Sequence, residues 1–155
     1  MDIELFIRKE NMYWACVLIF VSILKCSTAD NPTIRGTAEL EHDWAEAFKL
    51  IIKVKMQYSV PDGWRMALIF SQPIKKVDVW RAKVVNTSAD KETYALMHMY
   101  FNNRLAKEEK LEMAVVAFKA KKGTKPGNVT VLFKGGNVIP TLPTLPLVSN
   151  IESSE

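Results

Sequence analysis

Cysteine, histidine and glycine are all scarce in this chain. Its 155 residues include two cysteines, two histidines and six glycines. Both cysteines, Cys16 and Cys26, lie within the first 29 residues, so the remainder contains none. This absence excludes a disulfide framework, a thiol nucleophile and a cysteine-based metal site from residues 30–155. The fold there must be held together by its hydrophobic core.

Motifs of the common enzyme classes are also missing. The sequence has no nucleophile elbow, phosphate-binding loop or dinucleotide fingerprint. His42 and His98 have no close acidic partner at metal-ligand spacing, so we predict neither a metal nor a cofactor. The adjacent carboxylates Glu108 and Glu109 lie in a polar, turn-like setting, which favours solvated charges over a glycosidase pair. The sequence therefore predicts a protein that is not an enzyme.

The first 29 residues have the layout of a secretory signal peptide. Two basic residues precede an apolar run from Tyr13 to Leu24. Ser27 and Ala29 then place small side chains before a cleavage site at Asp30. An uncleaved membrane anchor is the alternative, but the run is shorter than the about 20 residues needed to span a bilayer.

Secretion to the extracellular space is therefore the predicted localisation, without membrane attachment after cleavage. Met12 is an alternative start that would leave a shorter signal. The triplets that begin at Asn86 and Asn128 match the N-glycosylation sequon and are candidate modification sites in such a pathway. Such triplets also arise by chance, so they support secretion without establishing it.

Alternation of apolar and polar residues dominates the rest of the chain. Phe48 to Tyr58 and Trp64 to Phe70 are the most regular segments, and each predicts a strand with one buried face. Turn residues, including Pro61, Asp62 and Gly63, separate the segments. The other predicted strands are Val77 to Val85, Thr93 to Tyr100, Leu111 to Phe118, Val129 to Phe133 and, more weakly, Gly36 to Glu41.

This spacing predicts an all-β fold, a two-layer β-sandwich of the jelly-roll or immunoglobulin-like kind. An amphipathic helix over Leu105 to Ala120 is the alternative at one segment, since Ala, Lys and Glu are frequent there. We predict a single domain over residues 30–136. Residues 137–155 repeat Thr-Leu-Pro and end in acidic and polar residues, which is typical of an extended tail.

Two tryptophans of this region have opposite environments in the pattern. Trp64 is in step with Met66, Leu68 and Phe70, so the alternation places it in the core. Trp80 is in step with Lys76 and Asp78, so the alternation places its ring in solvent. A large exposed aromatic ring indicates a binding surface.

The formal net charge is +4 at pH 7. Four lysines cluster near one predicted loop: Lys119, Lys121, Lys122 and Lys125. Such a loop can meet acidic polymers or anionic surfaces, but a solvated lysine-rich turn that discourages edge-to-edge aggregation is the favoured interpretation. We predict no nucleic-acid partner.

The order of these aromatic segments resembles a known family. Trp44-Ala45-Glu46-Ala47-Phe48 leads into an alternating strand, Gly63-Trp64 begins a second one, and Trp80 follows. Together with Tyr94 to Asn102 and Leu111 to Phe118, this succession resembles the bacterial-type family 2 carbohydrate-binding modules. The resemblance covers roughly Leu40 to Phe133. This chain lacks the disulfide that joins the ends of many family members, and other residues replace several of the family's loop glycines.

The resemblance implies a β-sandwich that binds cellulose, and in some members chitin or xylan, through three exposed aromatic rings. Carried over one at a time, those positions fall on Trp44, Trp80 and Phe101, with Tyr100 as an alternative to Phe101 by a shift of one residue. Asn102 and Asp78 are candidate hydrogen-bond partners at the rim. Trp44 precedes the alternating segment, so the alternation does not predict whether its ring is exposed. The alternative to an exposed ring is a ring packed beneath the edge of the sheet.

The expected function is therefore a secreted, non-catalytic, monomeric polysaccharide-binding protein, with cellulose or chitin as ligand. A cell-wall protein is a further candidate partner. The alternative is an extracellular β-sandwich that binds a protein through the same aromatic residues. Rings that lie coplanar and in line favour a sugar ligand, whereas a compact cluster of rings favours a protein partner.

Overall fold

The computed structural model describes residues 31–140. The predicted signal peptide, with both cysteines, and residues 141–155 of the predicted tail lie outside the described residues. The described part contains eight strands and no helix. They are β1 (Ile34–Asp43), β2 (Ala47–Lys55), β3 (Trp64–Phe70), β4 (Ile74–Val79), β5 (Ala82–Thr87), β6 (Thr93–His98), β7 (Lys110–Lys119) and β8 (Val129–Gly135). The all-β prediction is confirmed.

The strands form one antiparallel sheet in the order β4-β7-β2-β1-β8-β3-β6-β5. β1 is shared by two halves, because Ile34 to Gly36 pairs with β8 and Thr37 onward pairs with β2. The two terminal strands of the sheet, β4 and β5, are consecutive in the chain and joined only by Trp80 and Arg81. The sheet is therefore nearly barrel-shaped, and its division into two sandwich layers stays a prediction.

One predicted strand is wrong. Val77 to Val85 is not continuous, because the chain turns at Trp80 and Arg81 and passes from β4 to β5. Arg81 has a φ of 72°, in the left-handed region that interrupts a strand. No glycine or proline marks this turn in the sequence.

The helical alternative over Leu105 to Ala120 is also wrong. β7 occupies most of that segment and pairs with the whole of β2, from Ala47 opposite Phe118 to Lys55 opposite Lys110. Leu111, Met113 and Val115 are buried on one side of β7, as strand alternation requires.

The core lies on the inner side of the curved sheet, where alternate residues of each strand meet. Trp64 is fully buried and packs against Phe133, with ring centroids 5.6 Å apart. Its indole Nε1 donates a hydrogen bond of 2.8 Å to the backbone oxygen of Asn102. The largest fully buried side chains besides Trp64 are Phe48, Phe133, Ile34, Ile52, Met56, Met66, Leu68, Ile74, Leu96, Leu132 and Val54.

Gly63 has a structural role immediately before β3. Its φ of 86° is in the left-handed region, where a side chain is strained. A Cβ atom at this position would also collide with the His98 imidazole. The Gly-Trp pair of the sequence is therefore required by the turn that leads the buried Trp64 into the core.

Candidate binding surface

Trp80 lies directly after β4, and 56% of its surface is exposed. Its backbone N–H donates a hydrogen bond of 3.1 Å to the Ala114 oxygen of β7. The hydrogen bonding between β4 and β7 therefore continues for one residue past the end of β4. Lys76 and Asp78 precede it on the outer side of β4, while Val77 is buried. Trp64 is buried and Trp80 is exposed, as the alternation predicts.

Trp44 lies in the turn between β1 and β2 and is 48% exposed. The ring therefore does not pack beneath the sheet edge, which was the alternative. It stacks on the His42 imidazole, with centroids 5.6 Å apart and an interplanar angle of 29°. His42 is paired with Lys49 on the outer side of β2, so the Trp44 ring is held on that same side.

A buried lysine anchors the Trp44 turn. Lys119, the last residue of β7, is 7% exposed, and its ammonium donates hydrogen bonds of 2.6 Å to Asp43 Oδ1 and 2.6 Å to the Trp44 oxygen. Its backbone N–H donates to the Glu46 oxygen at 2.8 Å. Lys119 was grouped with the solvated lysines of the following loop, and that interpretation is wrong. Because Lys119 follows the core residue Ala117 in the alternation, the pattern carried a signal that it points inward.

The two tryptophans lie on one face of the molecule. β2 and β4 flank β7 on its two sides. Ala47, at the start of β2, lies opposite Phe118, whereas Trp80 lies opposite Ala114. Spacings of about 4.8 Å between strands and about 3.4 Å per residue along a strand place the two turns on the order of 15 Å apart. We call the outward side of β1, β2, β7 and β4 the aromatic face.

Between the tryptophans the aromatic face is apolar and bordered by charge pairs. Its middle is formed by half-buried side chains of β2 and β7, namely Ile51, Ala114, Val116 and Phe118. Ion pairs surround this strip: Lys49–Glu41 and Lys53–Glu39 at 2.6 Å each, and Lys76–Asp78 at 3.0 Å. The hydrogen bond from Lys49 holds the pKa of Glu41 below its ordinary value, so this rim carboxylate stays ionised. Asp78, a predicted rim residue, is paired with Lys76.

Tyr100 and Phe101 lie in the loop between β6 and β7. They are 86% and 55% exposed, and their rings meet edge to face with centroids 5.3 Å apart and an interplanar angle of 89°. Because the rings are perpendicular, only one of them can lie flat on a planar ligand. Exposure alone leaves both residues as candidates for the third position.

Asn102 is inside this loop and not at the rim of the aromatic residues. It is 5% exposed. Its Oδ1 accepts a hydrogen bond from the Met99 N–H at 2.7 Å, and its Nδ2 donates one to the Arg81 oxygen at 2.7 Å. The bond to Arg81 joins the Tyr100–Phe101 loop to the turn that carries Trp80. The structure therefore brings Trp80, Tyr100 and Phe101 to neighbouring loops, with Trp44 at the other end of the face.

The anchoring role of Lys119 can be tested by mutation. Lys119→Met should lower the free energy of unfolding by about 1–3 kcal/mol, because Asp43 and the Trp44 oxygen lose their buried donor. Lys122→Met is the matched control, since Lys122 forms an exposed pair with Glu46 at 3.1 Å, and it should change stability by less than about 0.5 kcal/mol. Urea denaturation followed by circular dichroism measures both. Equal stability of the two variants would contradict the anchor.

Other predicted features have definite places in the structure. Asn86 and Asn128 are both exposed, Asn86 on β5 and Asn128 just before β8. Among residues 31–140, no group of three or more His, Cys, Asp or Glu side chains is arranged to hold a metal ion. In the same range, the structure contains no helix long and apolar enough to cross a membrane.

No family model matches the sequence, and no curated protein matches it. Solved structures that match part of this chain include chitinase ChiA74 from Bacillus thuringiensis, with 13% identity, a TM-score of 0.49, and coverage of 63% of this chain and 14% of that one. Another is the chitin-binding domain of Chi18aC from Streptomyces coelicolor, with 19% identity, a TM-score of 0.46, and coverage of 64% of this chain and 89% of that one. A third is AvmM, described as catalysing macrocyclization in alchivemycin A biosynthesis. It has 13% identity and a TM-score of 0.30, and the match covers 63% of this chain and 71% of that one. The chain thus spans about a seventh of the chitinase.

Proposed function

We propose that this protein is a secreted, non-catalytic module that binds an insoluble neutral polysaccharide, cellulose or chitin, through the aromatic face. The observation that carries the proposal is the pair Trp44 and Trp80, half-exposed indoles on one side of the sheet with an apolar strip between them. The resemblance of the segments around them to bacterial-type family 2 carbohydrate-binding modules supports the same ligand class.

The chemistry of a sugar chain fits such a face. The two faces of a pyranose ring carry C–H groups that are weakly hydrated, and they gain apolar burial against an indole while their hydroxyls stay in water. Both tryptophans are in short turns held by hydrogen bonds, Trp44 through Lys119 and Trp80 through the bond from Asn102 to Arg81. Turns whose backbone is already held in place lose little conformational entropy when a rigid polymer binds.

The arrangement also bears on the alternative of a protein partner. The perpendicular pair of Tyr100 and Phe101 beside the Trp80 turn forms a compact group, which suits a protein hot spot. Trp44 lies on the order of 15 Å away by strand geometry, so it is outside this group. A polymer long enough to reach both ends of the face can contact Trp44 as well as the group beside Trp80, so we favour the polysaccharide.

The test is retention of the protein on insoluble polymers. Residues 30–155, mixed with microcrystalline cellulose or with chitin, should be depleted from the supernatant by at least one of them in a saturable manner. Bovine serum albumin in the same tubes controls for nonspecific adsorption. If the protein stays in the supernatant with both polymers, the proposed neutral-polysaccharide function is wrong.

A further inference from the structure

The two exposed tryptophans of the aromatic face differ in how their rings are supported. The Trp44 indole stacks on the His42 imidazole, with ring centroids 5.6 Å apart and an interplanar angle of 29°, the geometry of a favourable offset stack. Within residues 31–140, no aromatic ring packs against Trp80, although both indoles are about half-exposed. Support by a neighbouring ring is therefore a property of the Trp44 end of the face.

A bulge in β1 places His42 on the aromatic face. Strand alternation from Leu40, which lies opposite the core residue Leu50, would direct His42 to the inner side of the sheet. The register instead skips Glu41, so His42 lies opposite Lys49, an outward residue of β2. The Lys49–Glu41 ion pair of 2.6 Å holds the extra residue against β2. Bulges re-aim side chains in this way and are frequent beside functional sites.

The same bulge sets the direction of Asp43. Asp43 lies opposite the core residue Phe48, so its side chain is directed toward the inner side. There it pairs with the buried Lys119, which also donates to the Trp44 oxygen. The turn is therefore held twice, because Lys119 fixes its backbone from the inner side and the His42 ring packs against the indole on the outer side. One shift of register produces both supports.

We propose that His42 is a positioning residue of the aromatic face, whose imidazole holds the Trp44 ring in the orientation that the polymer meets. The inference rests on the proposed function, since it concerns the same face and the same ligand. An exposed indole in a turn otherwise samples several rotamers, and a ligand that stacks on it must first order it. Stacking on His42 removes this cost in the free protein. The imidazole also occupies one side of the indole, so a pyranose ring must stack on the opposite side.

The test is a double-mutant cycle on the polymer, cellulose or chitin, that retains the wild-type protein. His42→Ala should raise the dissociation constant about threefold to tenfold, the loss expected when a side chain must be ordered on binding. In the Trp44→Ala background the same change should have less than about a twofold effect, because the ring that His42 positions is missing. In the Trp80→Ala background the full effect should return, since His42 does not stack on Trp80.

A conservative variant separates ring stacking from the other properties of histidine. His42→Phe retains a flat ring without a hydrogen-bonding nitrogen, so it should bind within about twofold of wild type. His42→Leu has apolar bulk without a flat ring, and it should bind more weakly than His42→Phe. Thermal denaturation should give similar midpoints for all these variants, because His42 is exposed and outside the core.

The state of the indole can also be measured without polymer. In solution NMR of residues 30–155, the wild type should show nuclear Overhauser contacts between the His42 and Trp44 rings, and Trp44 should have a single χ1 rotamer. In His42→Ala the χ1 couplings of Trp44 should be averaged over several rotamers. If Trp44→Ala binds too weakly for the cycle to be completed, this measurement decides.

Three results would overturn the role of His42: a His42→Ala isotherm that overlays the wild type, an equal loss in the wild-type and Trp44→Ala backgrounds, or a Trp44 ring that averages its rotamers in the wild type. An equal loss in both backgrounds would make His42 a direct sugar contact. Retention of the wild type with an unchanged His42→Ala isotherm leaves the proposed function standing. If neither polymer retains the wild type, the proposed function itself is wrong.

Discussion

Trp80→Ala should weaken binding to the polymer that retains the wild-type protein, cellulose or chitin, by roughly tenfold or more while leaving the fold intact. A tryptophan that becomes fully covered buries up to about 250 Å². Trp80 is 56% exposed before binding, and a flat sugar covers only one side of the ring. Covering somewhat under 100 Å² at about 25 cal/mol per Å² gives about 2 kcal/mol, which corresponds to more than tenfold in the dissociation constant.

The measurement is a binding isotherm on the insoluble polymer, paired with thermal denaturation of each variant. Trp80→Tyr is the matched control, because a smaller ring retains part of the stacking surface and should lie between wild type and alanine. The melting temperatures should agree closely, since Trp80 contributes little to the core. An isotherm for Trp80→Ala that overlays the wild type would remove Trp80 from the binding site.

Local alternation is the part of this fold that the sequence shows most clearly. The assignment of Trp64 to the core and Trp80 to solvent depends only on the neighbours two residues away, and that information is complete in the sequence. The extent of β7 was predictable for the same reason. Where the chain leaves one half of the sheet for the other, at Trp80 and Arg81, the core-facing residues change from odd positions (Val77, Val79) to even positions (Ala82, Val84). This change of phase was the only signal of the turn in the sequence, since no glycine or proline accompanies it.

Polar residues that anchor the candidate site were the hardest to predict. Lys119 and Asn102 are of types usually found in solvent, yet both are buried by partners distant in sequence. Lys119 reaches Asp43 across 76 positions, and Asn102 reaches Arg81 across 21. Such pairings depend on how the strands are ordered in the sheet, and alternation does not encode that order.

Trp64→Ala should cause the largest loss of stability, about 3–5 kcal/mol of unfolding free energy, because it opens a cavity between Phe133 and His98. Trp64→Phe separates packing from hydrogen bonding. It keeps an aromatic ring but removes the N–H that bonds to the Asn102 oxygen, an effect worth about 1–2 kcal/mol.

Because Asn102 also bonds to Arg81, Trp64→Phe should additionally weaken binding at the aromatic face by loosening the loop of Tyr100 and Phe101 and the turn of Trp80. Trp44→Phe is the control for stability alone, since it changes an exposed indole of the aromatic face and should alter the free energy of unfolding by less than about 0.5 kcal/mol. Urea denaturation by circular dichroism gives the stabilities, and the polymer isotherm gives the binding. If Trp64→Phe loses stability but binds like wild type, the buried indole supports the core alone. If both fall together, the core and the binding loops are coupled through Asn102.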